Sequence, residues 1–486
     1  MNKFHLILFS VCVLAFSGCT EFLENPNPQQ SLPSDAAFST VSDLQTALIG
    51  AYDALQDSDF GATGVAINSS ILSDDGEWRG SFPSYIEIFE RAITPSNGEV
   101  FGLWEHSYEA INQANLVLQS LEVIDDPALT TEVADQLRGE ASFIRGMAYF
   151  ELTKAFGLPY GSSSSSDLGV PILTTATLAS TDVTFPARNT VQEGYDQAIA
   201  DLTVAQSALP ASGDYGRANA TAATALLADI AFQQRNYERA AQLAGEVIDA
   251  PGYELTAEPQ LPFTNEGSSE EIFAIVSTAQ DNPGVNGSLA TFHHINGRGG
   301  DVVVSPDLRD NGYNAVITTD QRNAAGSDSL ADLRREFLTS NGVFNIEKYE
   351  DFANNADDLV YLRLGTYYLM RAEALARTEG VNEESIELLN AIRTCAIRVV
   401  AEDGSLSDAA DFVSYEEEDF DDADELIEAI ILERRVELAF EGQRLDDLRR
   451  LMRSVRGIDY DSYRLVFPIP QRDLDANSNL VQNPSE

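Results

Sequence analysis

The stretch SDDGEWRGSFPSY, residues 73 to 85, gathers charged and aromatic side chains into one glycine-containing loop. Asp74, Asp75, Glu77 and Arg79 offer hydrogen bonds, and Trp78 and Tyr85 offer flat rings. A sugar ring has an apolar C–H face and a rim of hydroxyls, so an aromatic beside Asp, Asn or Arg suits it. The competing reading makes Trp78, one of two tryptophans, a core residue that pins the loop, because Trp is often largely buried. A second cluster, TFHHINGRGGD with DNGYN, supplies His293, His294, Arg298 and Tyr313. Paired histidines invite a metal, but no third ligand stands at a suitable spacing; hydrogen bonding from a loop, or no role, is expected of them. The candidate ligand-binding residues are thus Asp74, Asp75, Glu77, Trp78, Arg79, Tyr85, Arg298 and Tyr313. No metal site and no cofactor is expected.

Catalysis is weighed against the same loop. Asp74, Asp75 and Glu77 could flank a glycosidic bond as a carboxylate pair. In a chain with 78 acidic residues such clusters arise by chance. The chain has no GxSxG elbow, no HExxH and no phosphate-binding loop. It is read as a binder rather than an enzyme.

The elements that must position these loops are mostly helices. Apolar residues recur at helical spacing over roughly 100–123, 131–156, 190–208, 217–233 and 236–250. Ser42 with Gln45 forms a capping-box pattern for a helix over 43–57. Residues 58–99, with scattered Gly and Pro, read as loops and short helices. In ANATAATALLADIAFQQRNYERAAQLAGEVIDA, two helices meet at Arg235-Asn236, and small residues such as Ala228, Ala231, Ala240, Ala241 and Ala244 allow close approach. This is similar to a tetratricopeptide repeat, which buries its apolar face only by stacking on neighbours. Residues 359–398 form a second candidate pair, split at Thr378-Glu379-Gly380. Between the pairs, 251–358 is loop-rich, with short β-like runs at 271–276 and 301–306. Long loops on a rigid scaffold are where binding is usually placed. GSSSSSD, 161–167, reads as a flexible surface loop. The acidic run 416–425 lacks the glycine and ligand spacing of an EF-hand and reads as the approach to a helix N-terminus.

Composition narrows the function classes. The 486 residues carry a net charge of −48 and are 44% hydrophobic, enough for a packed core. Such a charge argues against nucleic acid and against docking on anionic lipid. Lys3, Lys154 and Lys348 are the only lysines. Arginine makes forked pairs with carboxylates, so the arginines are expected to be structural and the surface acidic, as suits salt water.

The N-terminus carries an address. MNKFHLILFSVCVLAFSGC has a basic start, an apolar run too short to span a membrane, and small residues before Cys19. A Cys after Ser-Gly resembles a bacterial lipobox, with Phe16 where Leu is usual. Residues 1–18 are then a signal peptide, Cys19 the lipidation site, and 19–40 a Pro- and Asn-rich tether. Each methylene of an acyl chain such as palmitate adds ~0.8 kcal/mol, so several chains anchor firmly. Cys395 would be the one other mature cysteine, leaving no intramolecular disulfide.

Three longer runs carry a family resemblance. FPIPQRDLDANSNLVQNPSE at the C-terminus and ELIEAIILERRVELAFEGQRLDDLRRL before it resemble the endings of SusD/RagB-family outer-membrane lipoproteins. LRGEASFIRGMAYFELTKAFGLP, 137–159, preceded by WEHSYEAINQANLVL, resembles the family's N-terminal signature. Two positions depart from the pattern: Gly365-Thr366 where Ala-Glu is common, and NSN for NPN in the tail. The resemblance implies a mainly α body over 41–486 with tetratricopeptide-like units. It divides into an N-terminal helical part (41–250), a loop-rich ligand region (251–358) and a C-terminal part (359–486). It also implies a lipid-anchored protein at the cell outer membrane, facing outward, that captures oligosaccharide for a SusC-like TonB-dependent barrel. Peptide is the alternative ligand. Glu21 and Glu24 resemble a surface-export signal. From other classes, a secreted glycoside hydrolase and a non-binding helical scaffold remain alternatives.

Overall fold

Helix boundaries follow caps and buried stripes. In the computed structural model, residues 38–484 are described, except 162, 265–266, 327–328 and 341–343. The signal peptide, Cys19, Glu21, Glu24 and most of the tether lie outside the described residues. Helix α1 (Val41–Gln56) starts earlier than the sequence pattern predicts. Its capping box is Thr40 with Asp43, not Ser42 with Gln45. Val41 is buried, and starting the helix at Thr40 places Val41, Leu44, Leu48 and Leu55 on one inward stripe. The other long helices lie close to their sequence limits: α2 (Gly98–Ser120), α3 (Thr131–Phe156), α4 (Val191–Ala208), α5 (Ala220–Gln233) and α6 (Tyr237–Ile248). Each takes an Asn or Thr N-cap whose side chain accepts backbone N–H bonds. After the loop-rich region come α7 (Leu364–Glu379), α8 (Glu383–Ala396), α9 (Ala423–Glu437) and α10 (Arg444–Arg450).

Consecutive helices pack on one another from α2 to α6, and α6 then lies against α7, which also packs on α8 and α9. The α5–α6 turn needs Arg235 in the left-handed region, φ 60°. Alanines at this pair, including Ala228, Ala240 and Ala244, are fully buried. One apolar cluster runs from Leu44 to Leu480, and a smaller one joins α7, α8 and α9. None of the described helices is long and apolar enough to cross a membrane.

Short strands sew the loop-rich region to both ends of the chain. β1 (Gly76–Trp78) pairs antiparallel with β3 (Val302–Val304), Gly76 opposite Val304 and Trp78 opposite Val302. β2 (Glu271–Ile275) pairs with β7 (Leu359–Arg363). β4 (Ser329–Asp332) pairs with β8 (Ile397–Val400), which pairs with β9 (Leu406–Asp408), and β5 (Leu338–Ser340) with β6 (Phe344–Ile346). The serine run is less free than its composition implies: Ser164 is buried, and its hydroxyl accepts the Gly161 N–H at 2.7 Å. The acidic run 416–425 does lead into a helix, with Asp422 as the N-cap of α9.

Candidate functional site

The β1–β3 ladder joins the two clusters that the sequence offers separately. Beyond the ladder, Arg79 N–H donates to the Asp301 carbonyl at 2.7 Å and Ser305 N–H to the Asp75 carbonyl at 2.8 Å. Ser305 Oγ donates to the Asp74 carbonyl at 2.6 Å. Residues 73–85 and 286–307 therefore form one surface.

The aromatics are not displayed on that surface as the sequence reading requires. Trp78 is 6% exposed and Tyr85 3% exposed. Their ring centroids are 4.5 Å apart, and both pack on the buried Phe292. The core reading of Trp78 thus prevails, because β1 turns it inward opposite Val302. Tyr313 is also buried, and burial pushes its phenol well above the ordinary range, with Asp332 and Asp75 nearby adding to the shift. His293 is fully buried between Tyr349 and Phe440, and neither ring nitrogen has a hydrogen-bond partner among the described residues. Burial, then the Lys348 charge, lowers its pKa to about 3.

Asp74 and Asp75 are claimed by arginines from the far end of the chain. Arg444 forks onto Asp74 through Nε and Nη2, at 2.7 and 2.8 Å. Arg435 reaches Asp75 at 2.9 Å and Asp307 at 2.7 Å. Asp75 is 1% exposed, which excludes it from direct contact with a ligand on this face. These pairs replace the pairing along the helix that spacing alone would give Glu441 with Arg444, and Asp446 with Arg449 or Arg450. Lys154 takes Asp446 instead, and Arg450 forks onto Glu373. Within 433–451 the acid that pairs is Asp447, with Arg450 at 3.1 Å and with Arg434 at 2.8 Å.

What remains exposed is a polar rim over an aromatic floor. Arg79 is half-exposed and pairs with Glu77 at 3.2 Å. The Arg298 guanidinium lies 4.2 Å from the centre of the half-buried Phe82 ring. Asp301 and Asn286 hold that guanidinium at 2.6 and 2.7 Å. Phe82, Asn286 and Asp301 escape the sequence reading because their side chains meet at Arg298, a contact that spacing does not announce. Beside the rim, a polar cleft of about 480 Å³ is lined by Asp74, Glu77, Ser305, Asp307 and Arg456. A more apolar cleft of about 390 Å³ lies elsewhere, between α2 and the C-terminal tail, with Phe101, Trp104, Tyr108, Phe185 and Arg472 in its walls. Trp104 itself is 5% exposed.

The same architecture occurs in known proteins. A family model described as starch-binding associating with the outer membrane, SusD-like, matches residues 21–232, and the SusD family model matches residues 308–465. The chain belongs to the SusD family. SusD-like protein P2 of Formosa agariphila is 26% identical, with 99% of each chain covered. SusD-like protein P38 of the same organism is 25% identical over 98% of this chain and 97% of its own. Among solved structures, a Bacteroides vulgatus protein named as sugar binding superposes with a TM-score of 0.77 at 25% identity, covering 92% of this chain and 99% of that one. A Bacteroides thetaiotaomicron SusD superfamily protein also reaches 0.77, at 23% identity, and shares the mainly helical fold over 92% of this chain and all of its own.

Proposed function

We propose that this SusD-family protein is a surface-exposed, Cys19-anchored lipoprotein that captures oligosaccharide and passes it to a SusC-like TonB-dependent barrel, without chemistry on the ligand. The observation that carries the ligand site is the Arg298–Phe82 stack beside Arg79, Glu77 and Asp301 on the β1–β3 surface. The partly buried Phe82 ring with the guanidinium stacked on it gives the apolar face of a sugar a flat platform, and the surrounding charged groups meet its hydroxyls. Asp74 contributes at the edge of the polar cleft. Trp78, Tyr85, Asp75 and Tyr313 support this surface from beneath.

The test is calorimetric titration of a glycan panel into the wild type and into Arg79→Ala, Phe82→Ala and Arg298→Ala. Affinity is expected to fall tenfold or more for Phe82→Ala and Arg298→Ala. It should hold for Phe185→Ala in the other cleft. Trp78→Ala is a poor probe, because emptying that buried site costs about 3–5 kcal/mol of stability on its own. Release of reducing ends would favour a hydrolase. Binding of peptides but no glycan would shift the ligand class. Co-purification of a large outer-membrane barrel with the tagged chain tests the partner.

A further inference from the structure

The loop after α1 reads Asp57-Ser58-Asp59 and turns two carboxylates onto α2. Asp57 is the C-cap of α1, with φ −51° and ψ 138°, so the chain leaves the helix there. On α2, Glu99, Gly102, His106 and Glu109 lie three to four residues apart along one stripe. One ligand atom from each of Asp57, Asp59 and His106 falls within 4.8 Å of the others. We propose that Asp57, Asp59 and His106 form a binding site for one divalent first-row transition ion of the zinc class.

Four observations carry this. His106 Nε2 lies 3.3 Å from Asp57 Oδ1, whereas the tighter ion pairs of this chain close to 2.6–2.9 Å. Two donors each ~2.0–2.1 Å from one ion at a tetrahedral angle stand about 3.4 Å apart. The other ring nitrogen, Nδ1, faces Glu109 Oε2 at 3.5 Å, the carboxylate–histidine arrangement that orients metal-bound imidazoles. The Asp59 N–H donates to Asp57 Oδ1 at 3.0 Å and fixes that carboxylate. Gly102 leaves the room: a Cβ there would stand 1.8 Å from Asp59 Oδ2. Glycine is a poorer helix former than alanine, and here the bare backbone lets the carboxylate lie against α2.

Chemistry selects the ion. Calcium and magnesium prefer all-oxygen shells, and an imidazole in the donor set favours zinc and its first-row neighbours over them. No Arg or Lys ion pair reaches Asp57 or Asp59 among the described residues, so an ion would supply the balancing charge. The site also bears on the candidate ligand surface. Ser58 packs against Gly287, where an added Cβ would meet its side chain at 2.3 Å. The neighbouring Asn286 holds Arg298. A bound ion would brace the loop that carries this contact.

The experiment uses the full-length chain in a Cys395→Ser background, treated with chelator and then titrated with zinc, manganese, calcium or magnesium chloride at fixed ionic strength. Melting temperature and metal content are read together. The expected result is one zinc per chain and a melting temperature raised by several degrees at saturating zinc. Asp59→Asn and His106→Gln should each abolish that rise, and Glu109→Gln should weaken zinc affinity about tenfold. Asp57→Asn, at a more exposed position, serves if either variant fails to fold. Equal stabilisation of the variants, a matching response to calcium or magnesium, or less than half an equivalent of zinc overturns the proposal.

Discussion

Arg435 shows what the arginines are for. Its guanidinium is largely buried and holds Asp75 and Asp307. Removing one partner of such a pair leaves an uncompensated charge inside the protein, which typically costs 3–5 kcal/mol. Arg435→Ala is therefore expected to lower the unfolding free energy by about 3 kcal/mol or more in a denaturant titration. Arg79→Ala, which breaks only the exposed pair with Glu77, should stay within about 0.5 kcal/mol. A second residue-scale prediction concerns acid. Burial holds His293 neutral, with its pKa near 3. Below the ordinary histidine value of about 6.5 the unfolded chain takes up a proton that the folded chain refuses, so stability falls with pH there. The wild type should lose about 1.4 kcal/mol per pH unit from this group between pH 6 and 4. His293→Phe should remove that slope in denaturant titrations at stepped pH. Glu437 works at lower pH. Burial would raise its carboxyl, but Arg363, Arg334 and Lys348 hold it at about 2, so its contribution is present above pH 4.5 and is lost as pH falls towards 2. That the arginines are structural was legible from the Lys-poor composition. Their partners were not, because Asp75 and Arg435 are 360 residues apart and local spacing favours the wrong acid.

Elements were legible where a period repeats. α3 occupies the predicted 131–156, since its caps and buried stripe are local. β1 and β3 have three residues each and acquire meaning only by pairing across the chain. No periodicity announces that ladder, and with it went the facing of Trp78, which decides between platform and core. The start of α7 explains one departure from the family pattern. A Cβ at Gly365 would stand 2.7 Å from Arg363 Nη1, which is locked between Glu437 and Glu270. Gly365→Ala is expected to destabilise the protein by about 1–3 kcal/mol through overpacking, despite alanine's better helix propensity. Thermal unfolding of that single variant checks it.

At the scale of the molecule, the charge is unevenly spent. Many of the cations that could offset a net charge of −48 are sealed inside, among them Arg334, Arg363, Arg393, Arg434 and Lys348. The surface is left acidic, and its repulsion weakens as the screening length shrinks from about 10 Å at 0.1 M salt to about 3 Å at 1 M. The melting temperature should rise across that range with sodium chloride. A flat or falling response would show that the surface repulsion is negligible. Fold class was readable from helical periodicity and the C-terminal motifs together. The candidate surface was half readable: both of its loops stand out in the sequence, and their pairing does not.

The forks from Arg435 and Arg444 also set an order of assembly. Asp74 and Asp75 meet them across 370 and 360 residues. A chain that emerges from its N-terminus cannot lock the 73–85 loop until nearly all of its length has been made. Early segments can form helices by themselves, but this surface closes last. A prematurely terminated copy would lack a finished β1–β3 surface even with every residue of that surface present. In effect, the final helices act as a proof of completeness for the beginning of the chain.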